Sequence, residues 1–533
     1  VIKQIKKYDW LFVVCLFFIA ELLINPIGEF PLNDDWAYAK AINDYLNTGL
    51  INFSFWQAIP DLPQFLIGLV GCKLFCFSFT LLRFISIVCV VIMIYVFNGI
   101  LKRQEIKSGN RMLLMLLFVF NPLTISLGNT FLPDIMKLFF SLISVSFIFK
   151  YVKNQNFWCL FWFSVFSLLA TLNRQSAVVV PLAFALVYFW MNEKNKKNMI
   201  LFFSPFIFNV IALIVYQIIA KHLNKLPGNY NLQINNMLNV FAHPSINHIK
   251  SIAYYIITSS LCLGLLILPL TVSSFVKNFQ SIKKSLLNKT ILVIYLIIVA
   301  LKIIFSGNIL PFVGNIFYHF GIGPIILTDF NTNEKIEISI YAQIIWCTLN
   351  FVGAYSFYIS LRTILLKPSF INSFFVVFLI LYLLPICIGY ANDRYLLYLL
   401  PFYFLAYYLS NDFKINKFSY LLVSIPIFYF SIAGTHDYLA INRARWNATN
   451  HLMRDLNISP NKIDGGFEFN AWYLAPSNNY FPSHNGRWWW VEGDDYVIGT
   501  SILQGYTIES EHLFNLWMPF KSDKILVLRK IPE

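Results

Sequence analysis

The chain has 533 residues, of which 58% are hydrophobic, 18% aromatic and only 12% charged. Soluble domains carry about 25% charged residues, so the composition excludes an ordinary soluble enzyme and points to a polytopic membrane protein. The net charge of +14, from 40 Lys and Arg against 26 Asp and Glu, does not call for nucleic acid, because basic residues flank apolar spans and set their orientation.

A first apolar run, 10–28, follows the basic "VIKQIKKYD" and reads as an uncleaved membrane anchor. Runs of about 20 apolar residues suit a bilayer. They recur near 81–101, 112–129, 132–150, 157–172, 175–191, 199–220, 251–276, 290–306, 340–361, 369–390, 395–410 and 418–434. The predicted fold is therefore an all-α bundle of about 13 transmembrane helices. One further apolar stretch, 62–79, is decided by charge. If it crossed the membrane, "KRQEIKSGNR" (102–111), "KYVKNQN" (150–156), "NEKNKKN" (192–198) and the later basic loops would lie outside. Basic loops stay inside, so 62–79 is read as a juxtamembrane segment of a first outer loop, 29–80.

That topology puts the N-terminus inside and residues 435–533 outside. The chain then divides into a transmembrane domain, 1–434, and a small extracytoplasmic α/β domain, 435–533. Turn dipeptides such as Gly465-Gly466 and the strand-like "KILVLRKI" carry the second assignment. All eight cysteines lie in apolar segments, which argues against a disulfide framework. Of the histidines placed outside, His243, His248 and His319 match no standard metal spacing. No P-loop or dinucleotide fingerprint is present.

Several charges stand at the outer ends of apolar runs. Asp34 and Asp35, in "FPLNDDWAYAKAINDYL", follow the first span and open an amphipathic helix. Locally they read either as a helix cap or as chemistry. Asp134 lies at the mouth of the fourth span, Arg83 at the outer end of the second, and Arg174 in the turn between the fifth and sixth. Asp393 and Arg394 lie in the turn between the eleventh and twelfth. The arginines run against the positive-inside trend. Either each reaches singly to lipid phosphates, or they converge on an anionic ligand, with Lys73 as a further point charge. Carboxylates beside a guanidinium phosphate site suit attack of a hydroxyl on a sugar linked to a lipid phosphate. A carboxylate takes the proton, and the arginines stabilise the leaving phosphate.

These motifs resemble the polyprenyl-phosphate-sugar-dependent membrane glycosyltransferases of the C-type fold, which include the protein O-mannosyltransferases and the aminoarabinose transferase of lipid A. "DDWAYA" places Asp34 at the family's catalytic Asp, Asp35 at the following Glu and Tyr38 at its Tyr. "IPDLPQFLIGLVGCKLF" places Lys73 at the family's Lys. Arg83, Asp134 and the Arg394 of "RYLLYLLP" match its next three charged positions. "DD" stands where the family has "DE", which leaves both carboxylates as candidates for the base, and the spacing from Arg394 to Pro401 is longer than usual.

The resemblance implies an inverting transferase in a bacterial inner membrane with a periplasmic tail. It implies a polyprenyl (undecaprenyl) phosphate sugar as donor, and a periplasmic acceptor such as O-antigen, lipid A or another surface glycan. The implied partners are this donor, a glycan or glycolipid acceptor and membrane lipids. No cofactor is called for, and a divalent cation is left open. In the tail, Glu468 and the Trp489 of "RWWWVEGDDY" are candidate acceptor contacts, although the tryptophans suit a domain core or a lipid interface equally. The rival functions are a polymerase or ligase of lipid-linked glycans, which needs a large late outer loop, and a flippase, which places charges near the bilayer midplane.

Overall fold

The structure is a computed structural model that describes residues 9–57, 61–192, 196–275, 280, 285–317, 339–411, 415–475, 483–484, 488–491, 493–518 and 520–532. The side chains of 196–198, 231–234, 483–484 and 488–489 lie outside that description, as do His319 and most of the predicted outer loop 307–339.

Every one of the thirteen predicted spans carries helix. Among the described residues, eight helices are long and apolar enough to cross a membrane: Phe79–Arg103, Pro133–Asn154, Met199–His222, Ile246–Leu266, Leu286–Ser306, Ile340–Leu365, Phe370–Gly389 and Lys417–Asp455. Ser108–Val119 and Pro122–Gly128, bent by 59°, make a ninth if they form one broken span. The break has a local cause. Pro122 offers no backbone donor, and Asn121 Oδ1 caps the new helix by accepting from Leu123 N at 3.0 Å. Length and apolarity thus account for eight or nine of the thirteen. Phe157–Asn173, at 17 residues, rises about 26 Å, short of the roughly 30 Å hydrocarbon core. Leu62–Phe75, the stretch read as juxtamembrane, has only 14 residues.

Helix ends follow ordinary capping chemistry. Ser78 Oγ accepts from Leu81 N at the start of Phe79–Arg103, and Lys102 and Arg103 close its negative end. Pro133 and Asp134 occupy the first turn of Pro133–Asn154, where a missing donor costs nothing and a carboxylate favours the positive end. The amphipathic helix Asp35–Thr48 stops at Gly49, whose φ of 72° suits glycine. Between the helices Ile246–Leu266 and Ile340–Leu365, a side chain on Gly264 would collide with the Gly353 carbonyl, the close backbone approach that small residues permit in membranes.

The tail builds strands β1 (Ile463–Asp464), β2 (Ser483–His484), β3 (Trp488–Trp489), β4 (Tyr496–Gly499), β5 (Tyr506–Leu516) and β6 (Lys521–Lys530). Four form a sheet in the order β1-β4-β6-β5, with β1 parallel to β4 and the other pairs antiparallel. All but the last residue of the strand-like "KILVLRKI" lies in β6. The helix Lys417–Asn450 runs unbroken past residue 434 and carries the tail. Toward the tail the Asp437 carboxylate of this helix accepts from Trp517 N at 2.7 Å and Met518 N at 2.8 Å, fixing the β5–β6 turn.

The tail also covers the loop that follows the first helix. Trp36 and Ala37 of the loop pack with Phe467, Ala471 and Trp490 of the tail. Burying a ring such as Phe467 contributes about 1.5–3 kcal/mol. Glu468, wholly buried, joins the two units. It accepts from Arg445 Nη2 at 2.6 Å, Tyr438 Oη at 3.3 Å and Asn33 N at 3.1 Å.

Candidate active site

Glu468 thereby holds the turn that presents Asp34. Asn33 adopts a φ of 55°, a left-handed conformation that Asn tolerates better than most residues, and its Oδ1 accepts from Asp34 N at 2.8 Å. Asp34 stands at the N-cap of Asp35–Thr48, but its side chain makes no capping bond. Instead Oδ1 accepts from Trp56 Nε1 at 2.9 Å, and Oδ2 accepts from Arg394 Nη1 at 3.1 Å. The capping alternative is therefore set aside for Asp34.

Arg394 arrives from the 3-10 turn Asp393–Leu399. The turn is pinned by Asp393, whose carboxylate accepts from Ile316 N at 2.8 Å and from Phe317 N. Burial pushes the Asp393 carboxyl up to about 7 against those donors. Arg174 caps the end of Phe157–Asn173 and donates to Asp134 Oδ1 at 2.8 Å. Arg394 Nε stands 3.9 Å from Asp134 Oδ2, and neither atom has a hydrogen-bond partner among the described residues. Lys137 lies 4.0 Å from the same carboxylate and donates to Tyr382 Oη at 2.8 Å. Two carboxylates and two guanidinium groups thus form one chain, Asp34–Arg394–Asp134–Arg174. Tyr395 floors it, with the Arg174 guanidinium 4.5 Å from its ring centre.

The chain faces a cavity of about 550 Å³ lined by Asp34, Tyr38, Trp56, Arg174, Arg394 and Tyr395. Val179, Leu381 and Ile386 form its apolar side. Burial raises the Tyr38 phenol above its usual range, so it faces the cavity as a neutral group. The arrangement can hold an anion with an apolar appendage and offers one carboxylate, 18% exposed, as proton acceptor.

The other predicted residues stand elsewhere. Asp35 points away from Asp34. It is 3% exposed and accepts from Leu32 N at 2.6 Å and Phe131 N at 3.2 Å, tying the first loop to the second. Arg83 is equally buried and donates to the carbonyls of Pro26, Gly28 and Phe30, so its charge orders the loop entrance away from the cavity. Lys73 is exposed, with its ammonium 5.2 Å from the centre of the Tyr45 ring. Glu468 touches Arg445 and the loop turn. The Trp489 backbone pairs with Ser483, and its side chain lies outside the described residues. No group of three His, Cys, Asp or Glu among the described residues is placed to hold a metal.

Two site residues went unnoticed in the sequence, Trp56 and Tyr395. Trp56 lies in "NFSFWQ", where three aromatics stand among three polar residues with no helical period, and that aromatic cluster in the loop that bears Asp34 is the signal that was available. Changing Trp56 to Phe keeps the ring and removes the hydrogen bond to a charged acceptor, a contact worth about 1.5–3 kcal/mol. We expect kcat to fall about tenfold with donor binding little changed, as measured by initial rates at varied donor concentration.

The Asp35 carboxyl is pushed up to about 7 by burial, against the pull of Arg83 and its two backbone donors. A carboxyl whose folded pKa lies above its unfolded value of about 4 adds stability below that pH. The contribution is lost as the pH rises to about 7, by up to about 1.4 kcal/mol per pH unit. Thermal unfolding in detergent should show this slope between about pH 4 and pH 7, and Asp35→Asn should remove it.

Residues 60–221 match the family profile described as dolichyl-phosphate-mannose-protein mannosyltransferase, a stretch that contains Asp134 and Arg174. Among solved structures the chain is similar to ArnT from Cupriavidus metallidurans in the apo state, with 12% identity over 98% of this chain and 99% of that one and a TM-score of 0.44. It is also similar to ArnT from Cupriavidus metallidurans bound to undecaprenyl phosphate, with 11% identity, the same coverage and a TM-score of 0.40. No curated protein matches the chain.

Proposed function

We propose that the chain is an inverting membrane glycosyltransferase of the C-type superfamily that moves one sugar from a polyprenyl phosphate to an acceptor hydroxyl. One observation carries this reading: Asp34 and Arg394 meet at 3.1 Å in a cavity that also holds Arg174 and has an apolar side. The profile match over residues 60–221 supports it. The donor's phosphate sits on Arg174 and Arg394, whose planar forks suit phosphate oxygens, and its lipid tail follows the apolar wall toward the bilayer.

In the reaction the acceptor oxygen attacks the anomeric carbon from the face opposite the phosphate. Asp34 takes the hydroxyl proton as general base. The bond between the anomeric carbon and the phosphate oxygen breaks, and its electron pair leaves on the phosphate. The arginines stabilise the added charge. Asp134 holds both guanidinium groups in place and touches no reacting atom. Asp35, Arg83 and Glu468 position the loop that bears Asp34. Single displacement inverts the anomeric centre.

The donor lipid is undecaprenyl phosphate, and the protein sits in a bacterial inner membrane with residues 1–434 as the catalytic domain and 435–533 as a periplasmic cap. The acceptor is an envelope glycan or glycolipid such as lipid A or O-antigen. The test is to give purified protein a polyprenyl-phosphate-linked radiolabelled sugar and crude envelope lipid. Label should move to the acceptor fraction as polyprenyl phosphate is released. Movement of intact donor across vesicles without release contradicts the proposal.

A further inference from the structure

The helix Pro133–Asn154 that carries Asp134 in its first turn carries Lys150 near its last, about 24 Å away along the axis. Beside that far end lies a second cavity of about 640 Å³. Four cationic side chains line it: Lys102, Arg103, Arg111 and Lys150. Among the described residues only Arg111 has a carboxylate partner, Asp9 at 2.7 Å. The Lys150 ammonium lies 4.6 Å from the centre of the Phe147 ring. Arg103 Nη1, Arg111 Nε and Asn98 Oδ1 are buried without a hydrogen-bond partner among the described residues, so the cavity presents two donors and one acceptor unmet. Trp10, edge-on to Tyr95 at 5.2 Å, closes an apolar side.

Basic residues are common at the inner face of membrane proteins, but there they spread into water. Here four converge on one concavity, where like charges repel unless an anion enters. We propose that this cavity binds the headgroup of an anionic phospholipid of the inner leaflet. The phosphate meets Lys102, Arg103 and Lys150, a headgroup hydroxyl donates to Asn98 Oδ1, and an acyl chain runs past Trp10 and Phe147. Inorganic phosphate shares the anionic chemistry and lacks the chain that the apolar side accommodates. The site lies at the opposite end of the bundle from Asp34 and Arg394 and does not depend on the reading of that cavity.

Native mass spectrometry of the full-length protein, titrated with phosphatidylglycerol or phosphatidylcholine, tests the assignment. Phosphatidylglycerol should bind at a concentration at least about tenfold lower, as expected when several basic groups face one anion. The triple change Lys102→Gln, Arg103→Gln and Lys150→Gln should abolish that preference. Gly99→Leu keeps every charge and fills the space, because a Cβ there meets only Arg103 Nη2, at 3.9 Å; it should abolish the preference as well. Lys107→Gln with Lys153→Gln removes exposed charge outside the cavity and should leave it intact. Equal binding of the two lipids by the unmodified protein overturns the proposal. So does full preference retained in Gly99→Leu, or displacement of the lipid by millimolar inorganic phosphate.

Discussion

Replacing Asp34 with Asn is expected to lower kcat by about 10²–10⁴-fold, the usual contribution of a general base, while the protein still folds and still binds its donor. The amide has nearly the shape of the carboxylate and can still accept from Trp56 Nε1, which lies 2.9 Å from Asp34 Oδ1. It cannot take a proton from the acceptor. The lost ion pair costs less than a loss at Asp134 would, because the Asp34 side chain is 18% exposed and Arg394 retains a second carboxylate, Asp134, at 3.9 Å. Arg394 keeps Asp134 nearby, so the phosphate site persists. Initial rates with a labelled donor, read beside a thermal unfolding curve, separate the loss of turnover from loss of fold. Asp34→Asn at near-normal kcat would remove Asp34 from the mechanism.

Asp134→Asn should act on the other side of that balance. The Asp134 carboxylate, 2% exposed, is the shared partner of Arg174, Arg394 and Lys137, whose side chains are 16%, 11% and 1% exposed. Removing its charge leaves these cations together in a poorly solvated place. Breaking a buried pair from one side costs about 3–5 kcal/mol, so we expect a large drop in thermal stability and loss of donor binding together. Adding Lys137→Met to Asp134→Asn removes one of the uncompensated charges and should recover part of the loss. A double-mutant cycle measures the recovery. Additive effects of the two changes would show that Lys137 and Asp134 are not coupled.

The contrast between these two aspartates shows what the sequence could and could not convey. Asp34, Asp134, Arg174 and Arg394 were legible because a charge at the outer end of an apolar run is rare, and all four fell on the same predicted side. Arg83 gives the same signal, yet its guanidinium serves the carbonyls of Pro26, Gly28 and Phe30. A charge at a helix end says nothing about whether its partner is a ligand or the chain's own backbone. Asp35 was inseparable from Asp34 as a letter. Once a helix starts there, neighbours point about 100° apart, and only Asp34 reaches the cavity.

Other features depend on contacts that no local pattern records. Glu468 reads in the sequence as a candidate acceptor contact, whereas its partners are Arg445 and Asn33, the latter 435 residues away in sequence. Trp56 carries no expectation in the sequence, and only its hydrogen bond to Asp34 marks it as part of the site. The helical spans were easier, because apolarity over about 20 residues is a local property. The lengths of the helices were not: Phe157–Asn173 and Gln175–Met191 stop short where Arg174 turns the chain between them.

In the proposed reaction Arg174 and Arg394 hold the lipid phosphate while Asp34 takes the proton. Equilibrium binding of undecaprenyl phosphate to the detergent-purified protein tests it most directly. Arg394→Gln should weaken binding by at least about tenfold, in line with the loss of a charge-assisted hydrogen bond, and Asp34→Asn should leave it within about twofold, since no contact to phosphate is removed. Unchanged affinity in Arg394→Gln would contradict the account.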